Sequence, residues 1–391
     1  MSAAESSPSC SLDVKGRSTT AARRRAPTVT DVDPQIPKFV PRVVSSMSVN
    51  DVDAVRLAVE ALQRGELVAM PTETVYGLAA NAWSDTACRR IFAAKGRPAD
   101  NPLIVHVADR SRLSEAAAVP SSGPIRDRLD AVADLWPGPL TLVLPVGPLI
   151  PRVVTAGRTT VAVRVPAHPV ALELLAGVPF PLAAPSANRS TAISPTRAED
   201  VREELGDRVA LVLDGGSCRC GLESTIVSLV EPDGPRLLRF GAMPAEYLAH
   251  RFDLPLSHLL RGMPEANGSH SAPATEADGV DRPGAIAPGQ MRLHYAPRTP
   301  LWLLSDPGLP EPLVGRWGRI RFREPLNAEV EFAEVRTVSR DGDPIEIAAK
   351  LFETLRELDR LPLDGILIDT CEEAGIGRAI MDRLRRASAN R

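Results

Sequence analysis

Residues 67–78 read Leu67-Val68-Ala69-Met70-Pro71-Thr72-Glu73-Thr74-Val75-Tyr76-Gly77-Leu78, a short apolar run that passes directly into a polar turn. The run is too short for a helix and ends at a proline, so it reads as a buried strand. Upstream, Val55, Leu57, Ala58 and Leu62 recur at helical spacing and predict an amphipathic helix leading into that strand. A polar loop at the carboxyl end of a buried strand is where α/β proteins place ligands. Thr and Glu also serve well as helix caps, so this segment alone leaves a binding loop and a capping turn equally open.

The same grammar recurs downstream. Apolar, strand-like runs occupy 103–107, 140–144, 160–165, 182–184, 210–213, 224–230 and 236–240, with helical segments between several of them. This predicts an α/β domain built on a largely buried sheet and ending near residue 248, although periodicity gives neither strand order nor direction. Residues 261–284 turn to Gly, Ser, Pro, Glu and Asn and read as a flexible linker. Beyond it, runs at 301–304 and 365–368 and helices at 344–358 and through Ile380 and Leu384 predict a smaller α/β unit. Residues 1–45 are rich in Ser, Thr, Ala, Arg and Pro without apolar period and read as a disordered tail. An organelle transit peptide is the rival reading, but such peptides are poor in acids, and Glu5, Asp13, Asp31 and Asp33 weigh against it. The expected organisation is therefore a tail at 1–45, a catalytic domain at 46–248, a linker at 249–297 and a second domain at 298–391.

Composition narrows the function. A chain of 391 residues with 44% hydrophobic content can build two cores. A formal net charge of -3 argues against a protein held to nucleic acid by bulk charge, and 4% aromatics is sparse for base-stacking platforms. The apolar runs are short and broken by Pro or Gly, so no membrane span is expected and the cytoplasm is the expected compartment. Five scattered cysteines (Cys10, Cys88, Cys218, Cys220, Cys371) do not form a secreted disulfide pattern. Cys218 and Cys220 have no partner pair at zinc-site spacing, so no protein-bound metal is expected.

Of the 46 basic side chains only Lys15, Lys38, Lys95 and Lys350 are lysines. Lys95 stands in Lys95-Gly96-Arg97-Pro98, a turn after a helix, where an ammonium and a planar guanidinium could meet different phosphate oxygens. Arg89 and Arg90, just before it, read as ordinary dipole partners of the helix end. His106 lies in an apolar strand, where a satisfied core histidine is the plainer reading. Residues 185–190 (PSANRS), 214–216 (DGG) and 221–226 (GLESTI) each follow a strand with small or hydroxyl residues that allow close approach of a ligand. Neither a G-x-x-x-x-G-K-[ST] loop nor a G-x-G-x-x-G fingerprint occurs, so a nucleotide would need another cradle.

Taken in order, residues 71–81, 95–107, 136–144 (WPGPLTLVL), 160–166 (TVAVRVP), 184–188 (APSAN), 221–227 (GLESTIV) and 288–297 resemble the threonylcarbamoyl-AMP synthase family in its long form. The likeness covers about residues 50–248 and, more loosely, the linker and second domain, whose ending GIGRAIMDRLRRAS looks like that family's tail. The fold this implies is a YrdC-like twisted open sheet with flanking helices, plus a smaller C-terminal Rossmann-like α/β domain. The resemblance also implies a threonine pocket of Thr74, His106, Arg164, Ala184 and Ser224, with Arg164 on the carboxylate. ATP would be met by Lys95, Arg97, Asn101, Thr160, Ser186, Ser194, Arg239 and Tyr295. Pro98 departs from the pattern, since a small hydroxyl residue is common there, and the register around Gln290 to Leu293 is loosely matched.

The implied reaction condenses L-threonine with bicarbonate to a carbamate, which attacks the α-phosphate of ATP and expels pyrophosphate. It needs no protein nucleophile, and no Ser-His-Asp or Cys-His set stands near these motifs. Lys95 and Arg97 would be the catalytic residues, neutralising the triphosphate together with Arg239 and a Mg2+ ion held mainly by phosphates and water. The product would pass to a downstream tRNA threonylcarbamoyl transferase complex. An RNA-binding YrdC-like module without synthase activity, with weak tRNA contact, is one rival. A carbamoyl transferase of hydrogenase maturation is another, but the paired zinc fingers and acylphosphatase domain of that class are missing from the sequence. Residues 288–297 read as a lid, with Tyr295 covering the nucleotide.

Overall fold

Helix α1 (Val52–Gln63) buries Ala54, Val55, Ala58, Ala61 and Leu62, a stripe at three- and four-residue spacing. It packs this stripe against Val170, Ala171 and Leu174 of a later helix and against the strand that opens the polar loop. The structure, a computed structural model, describes residues 42–45, 52–263, 294–325 and 331–390, all within one compact unit. Among them a ten-stranded sheet contains β1 (Arg42–Ser45), β2 (Val68–Met70), β3 (Gly77–Asn81), β4 (Ile104–His106), β5 (Leu140–Pro145), β6 (Thr160–Arg164), β7 (Leu182–Ala183), β8 (Leu211–Asp214), β9 (Thr225–Ser228) and β10 (Arg236–Arg239). The order is β1-β8-β2-β3-β7-β4-β6-β5-β9-β10, with parallel pairs such as β4 and β6 beside antiparallel ones such as β5 and β6.

Helices α2 (Asp85–Lys95), α3 (Pro124–Val132), α4 (Arg152–Thr155), α5 (Pro169–Gly177), α6 (Ala198–Leu205), α7 (Ala245–Arg251) and α8 (Leu256–Leu259) flank this sheet, so the expected α/β class with flanking helices is what the chain adopts. The second domain carries a parallel sheet of order β11-β14-β12-β13, made of β11 (Leu301–Leu303), β12 (Trp317–Arg321), β13 (Glu334–Thr337) and β14 (Gly365–Ile368). Helices α9 (Pro344–Asp359) and α10 (Gly377–Ala387) complete it.

Three boundaries differ from the sequence reading. Strand β1 falls inside the stretch expected to be tail and pairs in parallel with β8, so sheet structure begins at Arg42. The first domain does not stop at residue 248: Leu248, Ala249 and Leu259 join its core, with Phe252, Leu256 and Met263 packed on it. An apolar face that continues through α7 and α8 therefore carries the domain to about residue 263. Strand β3 was not expected at all. The expected lid at 288–297 lies outside the described residues through Leu293 and is described from His294 onward.

The domains meet along α9 and α10. Val75, Ile193, Leu222 and Tyr295 belong to the same apolar cluster as Leu351, Phe352, Ile380 and Leu384. Arginines of the second domain reach carboxylates of the first: Arg356 to Glu204 at 3.1 Å, Arg360 to Glu203 at 2.7 Å and Arg378 to Glu246 at 2.9 Å. Gly221 has φ +67°, and a Cβ there would lie 2.3 Å from the Ala348 carbonyl oxygen. Any side chain at 221 would have to push α9 away, which explains a glycine at the head of the GLESTIV segment.

Candidate functional site

Helix α2 fixes the cationic turn. Ser84 caps its start by accepting from Ala87 N, and Gly96 ends it in the left-handed region at φ 61°. Gly96 N then donates to Ala93 O and Arg97 N to Phe92 O, the paired bonds of a glycine-terminated helix. Lys95 is thereby the last helical residue, while Arg97 leaves in a new direction. Both are buried. Lys95 Nζ donates to the carbonyl oxygens of Ser186, at 2.5 Å, and Asn188. Arg97 donates to Asn101 O at 3.1 Å, Asn101 Oδ1 at 2.6 Å and Pro102 O at 2.8 Å.

Among the described residues no carboxylate pairs with either cation. Burial, with Arg97 nearby, pushes the Lys95 ammonium well below its ordinary range. Burial and the charge of Arg239 push Arg97 down to about 9, and burial brings Arg239 to about 10. Lys95 and Arg97 are thus buried cations with no paired carboxylate among the described residues and with Arg239 nearby, an arrangement that suits an anion.

On the opposite side β4 and β6 end on His106 and Arg164, paired residue to residue in the parallel ladder. Arg164 is almost wholly buried and reaches three partners: Nε donates to Gly138 O at 3.2 Å, Nη1 to Thr74 Oγ1 at 2.9 Å, and Nη2 lies 2.6 Å from Glu73 Oε1. Thr74 is held by the turn it sits in, because Thr72 Oγ1 donates to Val75 O and accepts from Thr74 N and Val75 N. The Glu73 carboxyl is lowered overall: burial raises it, but Arg164 more than offsets that.

One pocket joins the two sides. Its walls include Thr74, Arg97, His106, Arg164, Ala184, Ser186, Ser224, Arg239 and Tyr295, nine of the residues singled out from sequence. Lys95 and Asn101 adjoin it through Ser186 and Arg97, and Ser194 through Glu223, whose Oε1 accepts from Ser194 Oγ at 2.5 Å. Thr160 stands apart: it opens β6 opposite Pro145, four residues from Arg164. Strand alternation puts it on the pocket face but roughly 13 Å from Arg164. Sequence reasoning passed over Thr72, Glu73 and Glu223, which also stand at the pocket or beside it, and gave His294, another lining residue, only a part in fixing a closed lid. Glu73 and Glu223 each occur inside a quoted motif, so the motif was the available signal.

The cavity measures about 40 Å³, room for a few waters and far below an ordinary ligand site. Tyr295 and His294, both buried, form part of its lining. Several buried polar atoms here have no hydrogen-bond partner among the described residues, His106 Nδ1, His294 Nδ1 and the Tyr295 hydroxyl among them. Such atoms are costly in a native fold unless something else satisfies them.

Burial pushes His106 down to about 3, with Arg164 adding repulsion, and burial likewise brings His294 to about 3. Both rings are neutral at pH 7. Each folded-state value lies below the ordinary 6.5, so the unfolded chain binds protons that the fold refuses, and stability is full above that value and lost as pH falls toward 3. Melting temperature should therefore drop between about pH 7.5 and 5.5, each histidine contributing on the order of 1 kcal/mol at the lower end. A His106→Asn variant should show a shallower slope in differential scanning calorimetry. Identical slopes would remove His106 from that account.

Residues 60–241 match a family model described as "Telomere recombination", and 259–389 match "Threonylcarbamoyl-AMP synthase, C-terminal domain". A threonylcarbamoyl-AMP synthase of Pyrococcus abyssi is 40% identical over 86% of this chain and 94% of its own length. One from Bacillus subtilis is 38% identical over 89% of this chain and 96% of its own. The crystal structure of P. abyssi Sua5 complexed with L-threonine superposes with a TM-score of 0.74 at 36% identity, covering 89% of this chain and 98% of that one.

Proposed function

The chain belongs to the threonylcarbamoyl-AMP synthase family, and we propose from that premise how its pocket condenses L-threonine, bicarbonate and ATP into threonylcarbamoyl-AMP and pyrophosphate. The observation that carries the reading is the division of one pocket into a cationic half, with Lys95, Arg97 and Arg239, and an amino-acid-sized half, with Thr74, His106 and Arg164. The second half suits threonine. Arg164 has five donors and uses three in the contacts above, so two remain for a carboxylate even though Glu73 balances its charge. Ala184 and Ser224 close that side.

The first half suits a triphosphate. Lys95 and Arg97 would meet its oxygens, Asn101 holds Arg97 in place, and Ser186, Ser194, Arg239 and Tyr295 surround the rest. Thr160 lies on the same face at a distance that an extended nucleotide could span. Magnesium would arrive with the triphosphate. Among the described residues no three His, Cys, Asp or Glu side chains cluster as a metal cage, and Glu73 and Glu223 are engaged by Arg164 and Arg383. Its chemistry would be to neutralise phosphate charge.

In this reading threonine's amine and bicarbonate form a carbamate with loss of water, and a carbamate oxygen attacks the α-phosphorus as pyrophosphate leaves. The neutral His106 can accept a hydrogen bond without adding a charge to the threonine half. The rate comes from holding the reactants together and from fixed cations aimed at developing phosphate charge. ATP cannot enter a 40 Å³ cavity, so Tyr295 withdraws to admit it and returns to shield the short-lived carbamate from water. The product then serves tRNA threonylcarbamoyl modification through a transferase complex, in the cytoplasm. Among the described residues no helix is long and apolar enough to cross a membrane.

The test is pyrophosphate release by the full chain, with the product identified by mass spectrometry. Release should require threonine and bicarbonate together. Equal release without threonine would sink the reading.

A further inference from the structure

The second domain places one side chain at the wall of the pocket. Arg383, on α10, is 1% exposed, and its Nε donates to Glu223 Oε2 at 2.8 Å. Its Nη2 donates to Phe240 O at 2.8 Å, next to Arg239, and its guanidinium lies 4.8 Å from the centre of the Tyr295 ring. The other oxygen of Glu223 accepts from Ser194, and Tyr295 stacks on Phe352 of α9 at 5.5 Å. One guanidinium therefore ties Glu223, Tyr295 and the end of β10 to the second domain.

Of the other ion pairs between the domains, Arg360 with Glu203 and Arg378 with Glu246 are partly exposed and Arg356 with Glu204 is largely buried, and the apolar contacts already bind the surfaces together. A buried pair adds little stability over apolar residues of the same volume, because both charges lose their hydration. What it fixes is geometry: a planar fork accepts only one arrangement of carboxylate, carbonyl and ring. Glu223 and Tyr295 line the pocket, Glu223 accepts from Ser194, and Phe240 directly follows Arg239 in the chain.

Resting on the synthase reading above, we infer that Arg383 is a positioning residue for the nucleotide half of the site. It sets Glu223, and through it Ser194, and seats Tyr295, so that the second domain controls ATP binding without touching ATP.

The experiment uses the full chain with Arg383→Met and Arg383→Lys, reading ATP KM from pyrophosphate release and threonine affinity by calorimetry. Arg383→Met should raise the ATP KM about tenfold or more while threonine affinity stays within about twofold. Arg383→Lys keeps the charge but not the fork and should fall between Arg383→Met and the parent. If Arg383→Met does not fold, Glu223→Gln with Arg383→Met removes both members of the buried pair and should show the same split. An unchanged ATP KM in a folded variant, or an equal fall in threonine affinity, would overturn the inference. Failure of the parent chain itself to release pyrophosphate would instead overturn the synthase reading.

Discussion

Lys95→Met should lower kcat/KM for pyrophosphate release by about a hundredfold or more, the scale on which a single preorganised transition-state donor acts. Its melting temperature should stay within a few degrees of the parent. Lys95 is buried beside Arg97 with carbonyl oxygens as its hydrogen-bond partners, and burial already pulls its ammonium well below the usual range. Removing it relieves that burden but leaves the Ser186 and Asn188 carbonyls short of a donor, at about 1–3 kcal/mol each. The two effects oppose one another, so the fold changes little while the chemistry fails. Paired steady-state kinetics and calorimetry check this. Near-parental turnover would remove Lys95 from the mechanism, and a collapse in melting temperature would make it a structural residue.

That residue was legible because the chain uses so few lysines that one inside a Gly-Pro-marked turn stands out. The strands after apolar runs were legible for the same kind of reason: β2, β4, β5 and β6 are short, apolar and flanked by turns. Strand β3 was not, because Gly77-Leu78-Ala79-Ala80-Asn81 has the composition of a helix start. It is a strand because β2 and β7 pair with it on either side and its alanines are fully buried, a decision taken by tertiary contacts rather than by local preference. Tail and linker boundaries erred where polar composition hid a pairing edge, as in β1, or an apolar face, as in α7 and α8.

The site shows the same division between local and distant information. His106 alone read as a core residue, and only its alignment with Arg164 across β4 and β6 places it at the pocket. The resemblance had already supplied it. Arg383 had no local signal, since it is one arginine among several in the closing helix, and its partner Glu223 is 160 positions away. Thr160 carries a limit of another kind, because a motif gives proximity along the chain and the strand then moves the residue away from the others.

Arg164→Met separates fold from function when it is combined with Glu73→Gln. Arg164 and Glu73 form a buried pair, and Glu73 Oε2 also accepts from Ala167 N at 3.0 Å. Removing Arg164 alone leaves a buried carboxylate uncompensated, which should cost about 3–5 kcal/mol of stability. In Glu73→Gln with Arg164→Met both charges disappear, and the melting temperature should recover most of that loss. Activity should not recover with it. If Arg164 holds the threonine carboxylate, kcat/KM for threonine should remain roughly a hundredfold or more below the parent in both variants, because a charge-assisted fork is lost in each. The ATP KM should change far less, since Lys95, Arg97 and Arg239 are untouched. Stability by calorimetry and kinetics against both substrates, run on the single and double variants, give the two halves of the cycle. Recovery of threonine turnover in the double variant would show that Arg164 matters only as the counter-charge of Glu73, and the carboxylate of threonine would then have to be held elsewhere in the pocket.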